Sequence, residues 1–281
     1  MNLNNLKIKE VTLNVTSIER MITFYTEKIG LHIGKQTMNT VELLLPGEKE
    51  PALILKETKK KNRHVPGLYH IAYLLPTRPA LATITKHLLD LDYPLIGASD
   101  HGYSEAIYLN DPEENGIELY WDKPESLWNK QPGGKIIGTT NYLDIQSLLE
   151  ESQDTITPLQ VGTIMGHIHL SVSDLKSESD FFTKVLGFTV TSSLNQSADF
   201  YGIDGYHHQF AANNWHSNYP RTEEEEQNQN VGLNQITVLV SKTMFNQTKA
   251  NLENKNVKYK FYNNTLQFSD PNNIVFNYVT N

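Results

Sequence analysis

The sequence predicts an α+β fold of four βαβββ modules set in two tandem halves, and two internal matches predict it. The first match aligns Val11-Thr12-Leu13-Asn14-Val15, Phe24-Tyr25 and Gly30-Leu31 with Ile168-His169-Leu170-Ser171-Val172, Phe181-Phe182 and Gly187-Phe188, at identical spacings. The second aligns the run Tyr69 to Leu75 with Asn234 to Val240. Each of these is followed by a helical stretch and closed by an Asp-Pro turn and a strand, Asp111-Pro112 to Tyr120 in one and Asp270-Pro271 to Asn277 in the other. Self-similarity of this kind marks a repeated supersecondary unit, not a single irregular domain.

Taken in order, each copy of the first match opens on a strand and continues into a short helix that carries the aromatic pair. Ser17 and Asp174 supply the side-chain oxygens that cap those helices, and Gly30 and Gly187 stand where each must stop and turn. Strand-type runs follow, Val41 to Leu45 and Ala52 to Leu55 in the first copy. The second match supplies the other two modules. Between the halves, Lys123 to Gly162 contains Pro124, Pro132, Gly133 and Gly134, then a helical run near Leu143 to Glu151. The expected organisation is therefore 1–122 as an N-terminal pair of modules, 123–162 as a connector with a helix, and 163–281 as a C-terminal pair.

Composition narrows the chemistry. With 281 residues, 38% hydrophobic and 20% charged, including 14 Tyr and 10 Phe, there is material for packed interiors. A net charge of −8 argues against a nucleic-acid partner, which needs clustered cations. The short basic run Lys59 to Arg63 and the acidic run Glu223 to Glu226 are expected to be solvated loops. There is no cysteine, so disulfides, thiolate zinc sites and Cys nucleophiles are excluded, and any metal must be held by His, Asp, Glu or Tyr. No stretch approaches the roughly 20 apolar residues that cross a bilayer, and Met1 to Lys7 lacks an apolar signal core, so no membrane partner and a cytoplasmic location are expected.

Gly166-His167-Ile168-His169-Leu170 before a Phe-Phe helix, and Asp111-Pro112-Glu113-Glu114-Asn115-Gly116-Ile117-Glu118-Leu119-Tyr120, resemble signatures of the vicinal oxygen chelate superfamily. That superfamily includes glyoxalase I, the bleomycin-resistance proteins and the type I extradiol dioxygenases. The chain is most similar to bacterial catechol 2,3-dioxygenase-like proteins, to which Gly205-Tyr206-His207-His208 and Asn214-Trp215 add. The resemblance implies modules paired into U-shaped mixed β-sheets around a divalent metal, with ligands on the first and last strands.

Carried over position by position, the resemblance assigns Glu10, His70 and Glu118 to the first half, and His167, Gln235 and Val275 to the second. Val275 has no ligand atom. Pairing modules two and three across the halves brings His70, Glu118 and His167 into one site, and this is the expected ligand set; the alternative keeps the site in the first half, where Glu10 joins His70 and Glu118. Two histidines and a carboxylate suit Fe(II) or Mn(II), which keep further positions for a chelating substrate and dioxygen. His169, two residues on, shares the strand face of His167.

The implied reaction is extradiol cleavage of a small catechol or hydroquinone-type aromatic by dioxygen. His208 matches the acid-base histidine, with His207 beside it; Tyr108, ten residues before Glu118, matches the substrate-contacting tyrosine; and His101 lies in a loop over the substrate. Two alternatives stay open. A glyoxalase-like isomerase or lyase would use Zn(II) or Ni(II) with an added ligand, and a non-catalytic resistance protein would sequester aromatic compounds without metal. Edge strands of such modules leave room for a homodimer.

Overall fold

Apolar side chains alternate at Leu6 and Ile8 and, beyond a register shift between Ile8 and Glu10, at Val11, Leu13 and Val15, which makes Leu6–Val15 the strand β1 with those last three fully buried. This computed structural model describes residues 5–59, 66–154, 158–216 and 230–280. The helix α1 (Ile18–Thr23) follows, capped by Ser17, whose hydroxyl accepts the Arg20 amide. It continues as a π-helical turn over Phe24–Ile29 that carries the aromatic pair, and Gly30, at φ 98°, ends it. The strands β2 (His32–Gln36), β3 (Thr40–Leu44) and β4 (Pro51–Glu57) complete this first segment.

The second segment has β5 (Gly67–Leu74), α2 (Arg78–Asp90), β6 (Gly97–Asp100), β7 (Ser104–Asn110) and β8 (Gly116–Asp122). In the connector, the short strands β9 (Asn129–Gln131), β10 (Lys135–Ile137) and β11 (Asn141–Tyr142) precede the helix α3 (Ile145–Leu149), which is capped by Asp144. The third segment has β12 (Ile164–Ser171), α4 (Leu175–Lys184), capped by Asp174, β13 (Thr189–Leu194), β14 (Ala198–Gly202) and β15 (Phe210–Asn213). The fourth has β16 (Gly232–Val240), α5 (Lys242–Asn254), β17 (Tyr259–Tyr262), β18 (Thr265–Ser269) and β19 (Val275–Val279). The helix expected near Leu143 to Glu151 is thus shorter, and the connector strands were not expected. Lys60 to Arg63 and Glu223 to Glu226 lie outside the described residues.

Two mixed sheets result. One runs β17-β18-β19-β16-β1-β4-β3-β2 and the other β11-β6-β7-β8-β5-β12-β15-β14-β13. Each takes one segment from either side of the connector, so the ranges 1–122 and 163–281 are not separate sheets. The cause lies in the first strands. Each is flanked on one edge by the last-built strand of its own segment, β1 by β4 and β5 by β8, and needs a partner on the other edge. Antiparallel pairing of β1 with β16 and of β5 with β12 meets that need.

Sequence neighbours are joined instead by the Asp-Pro turns. Glu113, just after Asp111-Pro112, accepts the amides of Thr16 and Ser17 at 2.9 and 3.1 Å and binds Arg20 at 3.1 Å, which fixes the start of α1. Asn272 accepts the amide and hydroxyl of Ser173 before α4, at 2.8 and 2.7 Å. Below it, Asn272 donates to the fully buried Glu178, which also lies against Asp270. Burial pushes the Glu178 carboxyl well above its ordinary value, and the charge of Asp270 adds to this.

A raised carboxyl binds its proton more tightly in the folded state, so its contribution is complete below the unfolded value, about 4.3, and is lost as pH rises towards the folded one. Glu178→Gln keeps the acceptor for Asn272 and replaces the acidic proton by an amide donor. Wild type is expected to lose about 1.4 kcal/mol of stability per pH unit relative to this variant across that window. Urea unfolding at pH 5 and pH 8 checks it; an equal change in unfolding free energy for wild type and variant would rule it out. Among the described residues no helix is long and apolar enough to cross a membrane.

Candidate metal centre and active site

Three adjacent strands of the nine-stranded sheet deliver the site. β5 lies between β8, parallel to it, and β12, antiparallel. Ala72 on β5 pairs with Glu118 on one side and His167 on the other, and His70 stands two residues along on the same face. The methyl group at position 72 leaves the space between Glu118 and His167 open. Gly166 sits at a bulge where β12 slips against β5, which turns His167 into the row. A Cβ there would stand 2.0 Å from the Tyr120 hydroxyl, so only glycine fits.

The donor atoms converge. His70 Nε2 and His167 Nε2 are 3.2 Å apart, and they lie 3.0 and 3.1 Å from Glu118 Oε2. Ligands at right angles on bonds of about 2.1–2.2 Å are themselves separated by about 3.0–3.1 Å, so this triangle fits one face of an octahedron. The three residues are buried, at 2 to 6% exposure, where an uncompensated carboxylate would be costly. Burial acts to raise the Glu118 carboxyl, but His167 and His70 beside it outweigh that and hold it well below its ordinary value. Burial lowers His167 against the pull of Glu118, so its imidazole favours the neutral form that ligates metals. Among the described residues this is the group of His, Asp and Glu whose ligand atoms fall within 4.8 Å of one another.

Above the triangle opens a cavity of about 1000 Å³. Phe200, Tyr69 and Trp215 form aromatic walls, and Ile96, Ile137 and Leu194 stand at the cavity as exposed apolar side chains. Tyr108 is paired across the strands with Glu118 and lines the cavity. Its hydroxyl lies 2.7 Å from His101 Nε2, while His101 Nδ1 lies 2.9 Å from the Thr139 carbonyl. A carbonyl only accepts, so Nδ1 carries a proton and donates to Thr139, while Nε2 shares a hydrogen bond with the Tyr108 hydroxyl, which also bonds Glu118. Burial, reinforced by the Glu118 charge, pushes the Tyr108 hydroxyl well up, so it stays a donor. Thr139 belongs to the connector, which therefore forms part of the wall.

His208 lines the cavity with its ring centroid 4.3 Å from that of His167, and burial followed by the neighbouring imidazoles pushes it well below its ordinary value. His207 does not line the cavity. It is stacked on Tyr103 at 4.3 Å, with Nε2 2.9 Å from Asp122 and Nδ1 2.8 Å from His208 Nδ1. His169 accepts from the Asn213 amide at 3.0 Å and takes no part in the triangle.

A family model described as the glyoxalase/bleomycin resistance protein/dioxygenase superfamily matches residues 7–119. The catechol-2,3-dioxygenase of Bacillus subtilis (strain 168) is 43% identical over 209 residues, covering 72% of this chain and 73% of the relative. The chain belongs to this superfamily. Solved structures agree on the fold alone. One from Bacillus subtilis superposes with a TM-score of 0.65 at 13% identity, over 99% of this chain and 86% of that one. Glyoxalase I from Zea mays gives 0.59 at 12% identity, over 98% and 92%.

As in other proteins built by duplication, the second sheet of this superfamily member shows what became of the matching positions. There β1, β16 and β19 stand where β12, β5 and β8 stand in the first sheet, and Thr237 pairs with both Glu10 and Asn277. The counterpart of Glu118 is therefore Asn277, not Val275, which lies two pairs away in the ladder. Both Glu118 and Asn277 follow their Asp-Pro aspartate by seven residues, a count that would have found the match. Asn277 accepts from Gln267 at 2.9 Å, so amides occupy this face. Glu10 belongs to that sheet and not to the donor group, and burial raises its carboxyl.

Other residues around the site went unnoticed in the sequence. Asp122 lies four residues beyond Glu118 on the same strand face, a period-two signal open to reading. Ala72 and Thr139 carried no such signal, because smallness and a backbone carbonyl acquire meaning only once the strands are paired.

Proposed function

We propose that the protein is an extradiol ring-cleaving dioxygenase of catechol-type aromatics, with Fe(II) held by His70, Glu118 and His167. The observation that supports this most directly is the convergence of two imidazoles and one carboxylate at the base of an aromatic-walled cavity. The 43% identical catechol-2,3-dioxygenase of Bacillus subtilis points the same way. When bound there, the metal supplies Lewis acidity and open positions for two vicinal oxygens and for dioxygen.

The chain's own groups do the rest. His208, kept neutral by its surroundings, accepts a proton from one substrate hydroxyl at neutral pH and returns it later. Tyr108, held by His101, offers its hydroxyl oxygen to accept from a substrate hydroxyl. Phe200 and Trp215 flank the ring and limit water beside it. Both atoms of dioxygen enter the product and one ring carbon–carbon bond breaks beside the hydroxylated pair, so no further reductant is consumed.

The test is anaerobic purification, reconstitution with Fe(II), and oxygen uptake with catechol and methylcatechol alongside the yellow ring-opened product. One dioxygen consumed per product supports the proposal. Metal binding with isomerase activity and no oxygen uptake would favour a glyoxalase-like enzyme. Aromatic binding without metal would favour a sequestering protein.

A further inference from the structure

We infer that Asp122 and His207 are positioning residues that fix which nitrogen of His208 meets the cavity. The hydrogen bonds can be assigned one proton at a time. Tyr206 lies 2.8 Å from Asp122 Oδ2 and 2.9 Å from the Tyr120 hydroxyl. A carboxylate only accepts, so the single Tyr206 proton goes to Asp122 and Tyr120 donates to Tyr206. The other oxygen, Oδ1, takes the Nε2–H of His207 at 2.9 Å. If His207 holds only that one ring proton, its Nδ1 is bare and at 2.8 Å accepts from His208, whereas a second ring proton would reverse this bond. With His207 neutral, His208 carries its proton on Nδ1.

The remaining nitrogen, Nε2, has no bond to another described residue and lies on the edge of the ring away from His207. Because His208 lines the cavity and His207 does not, that edge is the one that meets the substrate. Nε2 thus presents a lone pair, the form in which an imidazole accepts a proton without first rearranging. Free imidazole side chains favour the opposite tautomer, so this arrangement is imposed. It is also held rigidly, since His207 is packed between Tyr103 at 4.3 Å and Trp128 at 5.2 Å. β8 consequently contributes twice, with Glu118 in the donor triangle and Asp122 behind the imidazole pair.

This inference rests on the dioxygenase reading for what His208 does, and not for how it is held, and the experiment separates the two. The first arm records long-range ¹H–¹⁵N spectra of histidine-labelled protein reconstituted with diamagnetic Zn(II). His208 should be protonated at Nδ1 in wild type and shift towards Nε2–H in His207→Phe, which preserves the stacking on Tyr103. The second arm measures turnover with Fe(II) and catechol. His207→Phe should lower kcat by about tenfold to a hundredfold with KM and bound metal little changed, as for residues that orient a functional group. Asp122→Asn, with His207 in place, keeps an acceptor oxygen for its Nε2–H and should retain most of kcat. A wild-type spectrum with His208 protonated at Nε2, or wild-type kcat in His207→Phe, would overturn the inference. Should wild type show the Nδ1–H tautomer but no ring cleavage, the relay stands and the dioxygenase reading fails.

Discussion

His167→Ala and Glu118→Ala are each expected to abolish stoichiometric metal binding and ring cleavage together, whereas Glu10→Ala should leave both intact. Loss of a residue that merely orients a ligand typically weakens metal affinity ten- to a hundredfold, so removing a donor should cost at least about a hundredfold. The three donors are mutually 3.0 to 3.2 Å apart, and losing one leaves a pair that cannot define a face. Elemental analysis after dialysis against a weak chelator, with circular dichroism as a fold control, makes the measurement. Retention of metal in His167→Ala would mean that the first half binds it unaided.

The second large effect is expected at His208. Replacing it with Phe preserves a ring beside Phe200 and His167 but removes the proton acceptor, and general-base catalysis contributes about 10²–10⁴ in rate. The His208→Phe variant should therefore keep its metal and bind catechol while losing about that factor in kcat. Substrate binding by difference spectroscopy separates this from a collapsed site. Simultaneous loss of metal would make His208 a ligand, not a base.

The donor set was legible only through the family resemblance carried by Gly166-His167 and the Asp-Pro turn, whose fixed spacings carry over into strand register. The pairing of modules two and three was expected because Val275 offers no ligand atom, but the physical reason for it was not legible. Segments with the same pattern can associate in more than one order, and edge complementarity between β5 and β12 decides it. Matching strand starts points to Val275, whereas counting from Asp270 reaches Asn277, and the ladder agrees with the second. His207 and His208 share one motif but face different surroundings, because Asp122 and Tyr103 claim the first of them. Such partners come from other segments, and no local pattern announces them.

The nesting of the sheets also bears on how the chain reaches this state. All strands of the donor-bearing sheet, β5 to β15, come from one uninterrupted run, while the other sheet must join β1 to β16, with partners such as Leu13 and Leu233. Closing the longer loop carries the larger entropic cost, although that cost grows only as the logarithm of length, and pairing of distant strands is slow. The inner run thus has the means to gather its imidazoles and carboxylate before the chain ends meet. The β1–β16 seam closes the longer loop, so it is expected to form after the β5–β12 seam on refolding.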